Sequence, residues 1–454
     1  MLVGGSLIAG GAPAAAAAGI TIHPMLKAKF WSAKQPPSQD QCELAFTVPC
    51  YVPPQFQAAY NELPLFSRGI TGKGQTIALV DSFGSPTMES DLATFDAEFG
   101  LPAPPSFKVI QPAGKVTFDP TNPDEVSWAG ETTLDVEWAH AMAPGASILL
   151  VETPVSETEG VHGFPQIVKA ENYVVNHHLA QVISQSFGAT EGTFPSASSI
   201  YGLRSAYLNA FRHHVTVLAA TGDAGSTDYS NDAGTLLFTH PAVDWPSTDP
   251  LVTAVGGTQL ALLPITGQRA APDVVWNDSN NYALNNVFFD NPGPQALATG
   301  GGKSVIFPRP GYQNGVAGVT GSQRGVPDIS MSGACSGLVV TYQSTPGQPA
   351  GWYVVCGTSE STPLFAGIVA LADQQAGHAL GLINPALYLL SAEHAPGLVD
   401  VTQGNNTVSF FQDDRLVTVK GYRAGRGYDL ASGVGTVNAA LFVPELALAA
   451  GHGY

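Results

Sequence analysis

Basic residues are scarce in this chain. Its 454 residues carry 18 lysines and arginines against 36 aspartates and glutamates, a formal net charge of −18 at pH 7. That balance excludes the cationic footprint by which proteins hold nucleic acid or anionic membranes. It suits work in acid, where protonation of carboxylates relieves self-repulsion. Cysteine is equally sparse: four residues, none in a Cys-x-x-Cys spacing, which excludes the common zinc-ligand motifs. The four fall as sequence-local couples, Cys42 with Cys50 and Cys335 with Cys356. Three connectivities are open; local pairing is the expectation, and buried thiols are the alternative. After the first twenty residues no apolar run has the length and purity of a membrane span. No internal repeat is present, which argues against a solenoid or propeller.

What is present points to a globular protein. Hydrophobic residues make up 44% of the chain, and the 50 glycines and 35 prolines mark a loop-rich fold, not a disordered one. Residues 1–20 are almost wholly apolar or small and read as a signal-like leader, although no Lys or Arg precedes them. Residues 21–65 are Pro-rich and read as an irregular strap across the surface. From 66 to 446 short apolar runs alternate with helical patterns. Strands are predicted at 75–81, 107–110, 146–152, 182–188, 215–220, 252–258 and 351–356. Helices are predicted at 91–99, 131–142, 167–179 and 199–214, with 265–350 loop-rich. Such alternation predicts an α/β fold, a mainly parallel sheet with helices on both faces.

The chemistry gathers around Gly357-Thr358-Ser359-Glu360-Ser361-Thr362-Pro363. A strand-like segment precedes it and an apolar helix follows, with Pro363 placed in the first turn. Ser359 thus stands at a strand-to-helix junction, where main-chain N–H groups favour a developing anion. It needs a base. Glu131 and Asp135, four apart on a helix otherwise lined by Trp128, Leu134, Trp138 and Met142, share one face. Buried side by side they resist double ionisation and form a base poised in acid. Asp223, just past a strand in Thr221-Gly-Asp-Ala-Gly, could when protonated donate a hydrogen bond to an oxyanion.

Together with Ala143-Pro-Gly-Ala, Ser184-x-Ser-Phe-Gly, Gly300-Gly-Gly-x-Ser and Pro327-Asp-Ile-Ser, these segments resemble the sedolisins, serine-carboxyl peptidases of the subtilisin-like fold. The likeness runs in family order across roughly residues 70–440. It implies Ser359 as nucleophile, Glu131 as base, Asp135 as its support and Asp223 in the oxyanion hole. It also implies one structural Ca²⁺ held by the carboxylates of Asp400 and Asp429 and the carbonyls of Val401, Gly425 and Gly427. The implied protein is a secreted monomer acting on polypeptides, as a serine-type endopeptidase or a tripeptidyl peptidase, in acid near about pH 3–5. The family's large prodomain has no counterpart in residues 1–65: either the chain is a relative lacking it, or the prodomain lies outside this sequence. Cys356 stands where the family has a small residue. Two rivals differ in chemistry. A subtilisin would use Asp81, a histidine and Ser359, but the His-Gly-Thr-His segment it needs is absent and His140 lies inside the carboxylate helix. An inactive peptide-binding scaffold would survive loss of Ser359.

Overall fold

Short runs rich in Val, Ile, Leu and Ala, each closed by a turn, build the centre of this protein. The computed structural model describes residues 27–289 and 293–451, so the leader at 1–20 and the first part of the strap lie outside the described residues. An eight-stranded sheet runs in the order Val274–Val275, Thr253–Gln259, Thr216–Ala220, Val182–Gln185, Thr76–Ser82, Ser147–Thr153, Phe107–Ile110, with Ile329–Ser332 paired to Thr253–Gln259. Every pairing is parallel except that of the short Val274–Val275 edge.

Side chains alternate across a strand, so each strand feeds two cores. Ile77 and Leu79 pack on one side with Trp138, Phe365 and Phe442. Ala78 and Val80 pack on the other with Phe164, Ile167 and Tyr207. The first core takes the helices Pro123–Met142 and Thr358–Ala376; the second takes Phe164–Asn176 and Ser205–Arg212. Helices therefore cover both faces, as the alternation predicted.

Several boundaries differ from those expected. The carboxylate helix begins at Pro123, capped by the Asn122 side chain, two turns before Glu131. The helix expected at 199–214 is two, Ala197–Leu203 and Ser205–Arg212, broken at Arg204, whose guanidinium pairs with Asp249. The segment 265–350 holds the strands Gly302–Pro308, Gln323–Val326, Ile329–Ser332 and Leu338–Gln343, whose apolar runs are short and scattered among glycines.

The strap is not irregular, and part of it is built into the core rather than laid on the surface. It forms the strand Lys27–Trp31, the helix Gln39–Phe46, the strand Cys50–Tyr51 and the helix Pro53–Ala59. Tyr51, Phe56 and Tyr60 are buried in the same core as Trp138. Its strands flank a second, four-stranded sheet: Lys27–Trp31, Gly351–Cys356, Leu338–Gln343, Cys50–Tyr51. Prolines sit at the first helical positions, which tolerate them, so a Pro-rich composition did not mean irregular chain. Disulfides join Cys42 to Cys50 and Cys335 to Cys356, the sequence-local pairing.

Candidate active site

Three elements bring the functional side chains together. The first is the helix Thr358–Ala376, which starts immediately after the strand Gly351–Cys356. Ser359 is its second residue and is buried. The Cys335–Cys356 bridge and the bond from Gly357 N–H to the Gly333 carbonyl, 3.0 Å, fix the approach to it. Pro363 lies in the second turn, not the first as expected. It has no N–H to give the carbonyl four residues back, that of Ser359. The Ser186 hydroxyl approaches that carbonyl instead, at 3.4 Å.

The second element is the carboxylate helix, packed against the serine helix. Gly367 permits the close crossing: a Cβ there would lie 2.5 Å from Met142 Cβ. Glu131 and Asp135 are fully buried on it. The Ser359 side chain lies close to the Glu131 carboxyl and restrains the rise in its pKa. Asp135 Oδ1 accepts from Ser186 Oγ at 2.8 Å. Burial pushes both carboxyls well above the ordinary range, Glu131 further by Asp81 and Asp223, Asp135 further by Asp81 and Glu131. Asp81, buried at the end of its strand, is pushed up to about 8 by burial and by Glu152. Like charges confined in low dielectric cannot all ionise, so the group holds protons in common.

The third element is the turn after the strand Thr216–Ala220. Asp223 Oδ1 accepts from the Thr358 N–H at 2.7 Å and the Thr358 hydroxyl at 2.8 Å. Its Oδ2 is buried without a hydrogen-bond partner among the described residues. Burial raises Asp223 to about 7 against the lowering pull of Thr358 and Lys27. One oxygen is thus committed to receiving hydrogen bonds, which leaves Oδ2 to carry the proton. Gly222 is required beside it: φ is 96°, and a Cβ would meet Asp244 Oδ2 at 2.6 Å and Asp228 Oδ2 at 2.7 Å.

The structure therefore gathers Ser359, Glu131, Asp135 and Asp223 in one place. His140 is elsewhere: its Nε2 faces the Pro102 carbonyl at 2.8 Å and Asp96 at 3.3 Å. Asp81 does lie near the serine, but beside carboxylates and not beside an imidazole. Three contributors were not singled out from the sequence. Ser186 lies within the Ser184-x-Ser-Phe-Gly motif, and Thr358 precedes the serine, so both stood in view. Lys27, which acts electrostatically on Asp223, had no signal at all.

The residues expected to hold calcium also converge. Asp400 Oδ2 accepts from the Gly427 N–H at 2.9 Å, and Asp429 Oδ2 from the Gly425 N–H at 3.0 Å. The Ser432 hydroxyl touches both the Val401 carbonyl, at 3.4 Å, and the Asp429 carboxyl. Two carboxylates among main-chain carbonyls form an all-oxygen donor set, which fits a hard cation. Among the described residues no group of three or more His, Cys, Asp or Glu side chains is arranged to hold a metal. An ion here would therefore rest partly on main-chain carbonyls.

Comparison with known proteins places these observations. The Subtilase family model matches residues 113–392. The chain is 32% identical over 430 residues to kumamolisin from Bacillus sp. (strain MN-32), covering 92% of this chain and 68% of that one. It is 28% identical over 420 residues to sedolisin from Pseudomonas sp. (strain 101), covering 92% and 64%. It is 29% identical to tripeptidyl-peptidase 1 from Homo sapiens, covering 68% and 50%. The chain thus spans about half to two thirds of the length of these relatives. Among solved structures, Pseudomonas sedolisin, a serine-carboxyl proteinase complexed with pseudo-iodotyrostatin, superposes with a TM-score of 0.70 at 26% identity, covering 87% of this chain and 97% of that one.

Proposed function

The chain belongs to the sedolisin family of serine-carboxyl peptidases, and from that membership we propose that it hydrolyses peptide bonds of polypeptides in acid through Ser359, Glu131, Asp135 and Asp223. The observation that carries this reading is the placement of Ser359 beside Glu131, a buried carboxyl on a neighbouring helix, while His140 faces Pro102 and Asp96.

In this reading Ser359 Oγ attacks the carbonyl carbon while Glu131 takes its proton. In taking that proton Glu131 loses its charge, a change the neighbouring Asp81 and Asp135 favour, so the proton is held until the leaving amine takes it as the C–N bond breaks. Ser186, bonded to Asp135, orients that carboxyl and bridges it to the serine's own main chain. The oxyanion is received by the proton on Asp223 Oδ2. Such a donor, aimed where charge develops, is typically worth about 10²–10³ in turnover. Because Asp223 donates only while protonated, activity falls as pH rises through about 7.

One structural Ca²⁺ on Asp400, Asp429 and the carbonyls of Val401, Gly425 and Gly427 would cross-link two loops. Chelator should therefore lower the melting temperature of the full chain; an unchanged melt would remove the ion from the account. Export is supported by the two disulfides and the signal-like leader, together with the family. Among the described residues no helix is long and apolar enough to cross a membrane.

The test is digestion of an unfolded protein in acid by the full chain and by Ser359→Ala, with products read by mass. Cleavage by the first and none by the second supports the reading. Equal cleavage, or none by either, removes it.

A further inference from the structure

Beside Asp223 lies a cavity of about 290 Å³ whose lining is unusual in its charge. Glu157, Glu159, Asp223, Asp228 and Asp232 all line it, and the remaining charged group among the described lining residues is Lys27. An acidic cluster alone says little, since such groups can hold protons and stay neutral. Two further observations point to a ligand. Glu157 is 2% exposed, and its Oε2 has no hydrogen-bond partner among the described residues. A buried polar atom left unpaired in a cavity wall is costly unless something else pairs with it.

The second observation is where Lys27 goes. Its strand pairs antiparallel with the strand before the nucleophile, Lys27 opposite Cys356. From there the ammonium reaches the cavity and lies 5.2 Å from the centre of the Phe289 ring. Its charge pulls down the pKa of both Asp223 and Asp228, against burial that raises them. Part of the wall is apolar: Leu237 and Phe410 line the same space. A ring face, an apolar sleeve and carboxyls at the end together fit an extended cationic side chain.

We propose that this cavity is the subsite for a lysine or arginine side chain of the polypeptide substrate, and that Lys27 occupies it until substrate displaces it. The proposal rests on the peptidase reading but concerns recognition, not the chemical step. An entering cation would ionise carboxyls that crowding keeps protonated, so the gain is specific to a charged side chain. A neutral chain of equal length gains only the apolar wall.

Binding to the full chain carrying Ser359→Ala tests this without cleavage. Fluorescent peptides would be matched except at one position, occupied in turn by Lys, Arg, norleucine and Glu, and that position would be walked along the peptide. At one position Lys and Arg should bind about tenfold tighter than norleucine, the scale of one charge-assisted hydrogen bond, and Glu weakest. Asp228→Asn and Glu157→Gln should each bring the Lys-to-norleucine ratio towards one, and Lys27→Met should raise the affinity for the Lys peptide severalfold. Asp232→Asn, at the less buried part of the wall, should lower the ratio and serves where a buried variant fails to fold. Equal binding of Lys and norleucine at every position, or no binding of any peptide, overturns the subsite. Cleavage by the unaltered chain without preference for basic residues also overturns it while leaving the peptidase reading intact. Absent cleavage with the binding preference present does the reverse.

Discussion

Two groups of fully buried charged residues sit in this protein, and they are neutralised in opposite ways. Near the Gln323–Val326 strand, Arg324 donates from both terminal nitrogens to Asp328. Asp328 also receives the Ala254 N–H at 2.8 Å and the Tyr388 hydroxyl at 2.9 Å. A fixed cation and fixed donors compensate that carboxylate. Around Ser359 no cation among the described residues acts on Asp81, Glu131 or Asp135, and protons take the cation's part. The cation of the first arrangement is permanent, because guanidinium does not let go of its proton. The second titrates, and a group that titrates can do acid–base work.

The comparison can be broken from either side. The largest effect expected is on turnover: Glu131→Gln removes the base and should cost about 10⁴–10⁶ in kcat, the scale on which members of such a unit fail singly. Turnover within tenfold of the unaltered chain would mean that another group takes the proton. Next comes stability at the other cluster. Arg324→Met strands Asp328 without its cation and should cost about 3–5 kcal/mol in denaturant unfolding. Asp135→Asn shows the contrast. It should lower turnover by about 10²–10⁴, as loss of an acid–base partner does. It should also raise the melting temperature at pH 8, since it deletes a carboxyl whose ionisation opposes folding. A lower melting temperature there would place Asp135 among the stabilising pairs.

The last expectation is the pH dependence of melting in the unaltered chain, and its sign follows from the direction of the shifts. Asp81, Glu157 and Asp373 are each held at about 8 and Asp223 at about 7, against roughly 4 in the unfolded chain. The folded state therefore binds more protons. Its advantage is complete below about pH 4 and is lost as pH rises towards about 8. Melting should move down across that range, in step with the growing self-repulsion of a chain of formal charge −18. Flat or rising melting would mean that these carboxyls ionise in place.

The proposed catalytic residues were legible in the sequence because each sits in a local pattern with a physical reason. Ser359 closes a strand and opens a helix; Glu131 and Asp135 share a helix face; Asp223 follows a strand. The alternation of strands and helices carried the parallel sheet for the same reason. What it could not carry depends on distant packing. Lys27 reaches the cavity only because its strand pairs with Gly351–Cys356, more than 300 residues away. The strap was read from its prolines, yet Tyr51, Phe56 and Tyr60 make it part of the core. Asp81 was weighed as the partner of a histidine, and only its place beside Glu131 and Asp135 gives it another part.

The central claim is that carboxyl groups alone take the serine's proton and shelter the oxyanion. The most direct measurement is kcat/KM for one peptide from acid to mildly alkaline pH. The account predicts activity in acid that declines through about pH 7, where Asp223 loses its proton. Activity that is absent in acid and rises to a plateau above neutrality, the profile of an imidazole base, would contradict it.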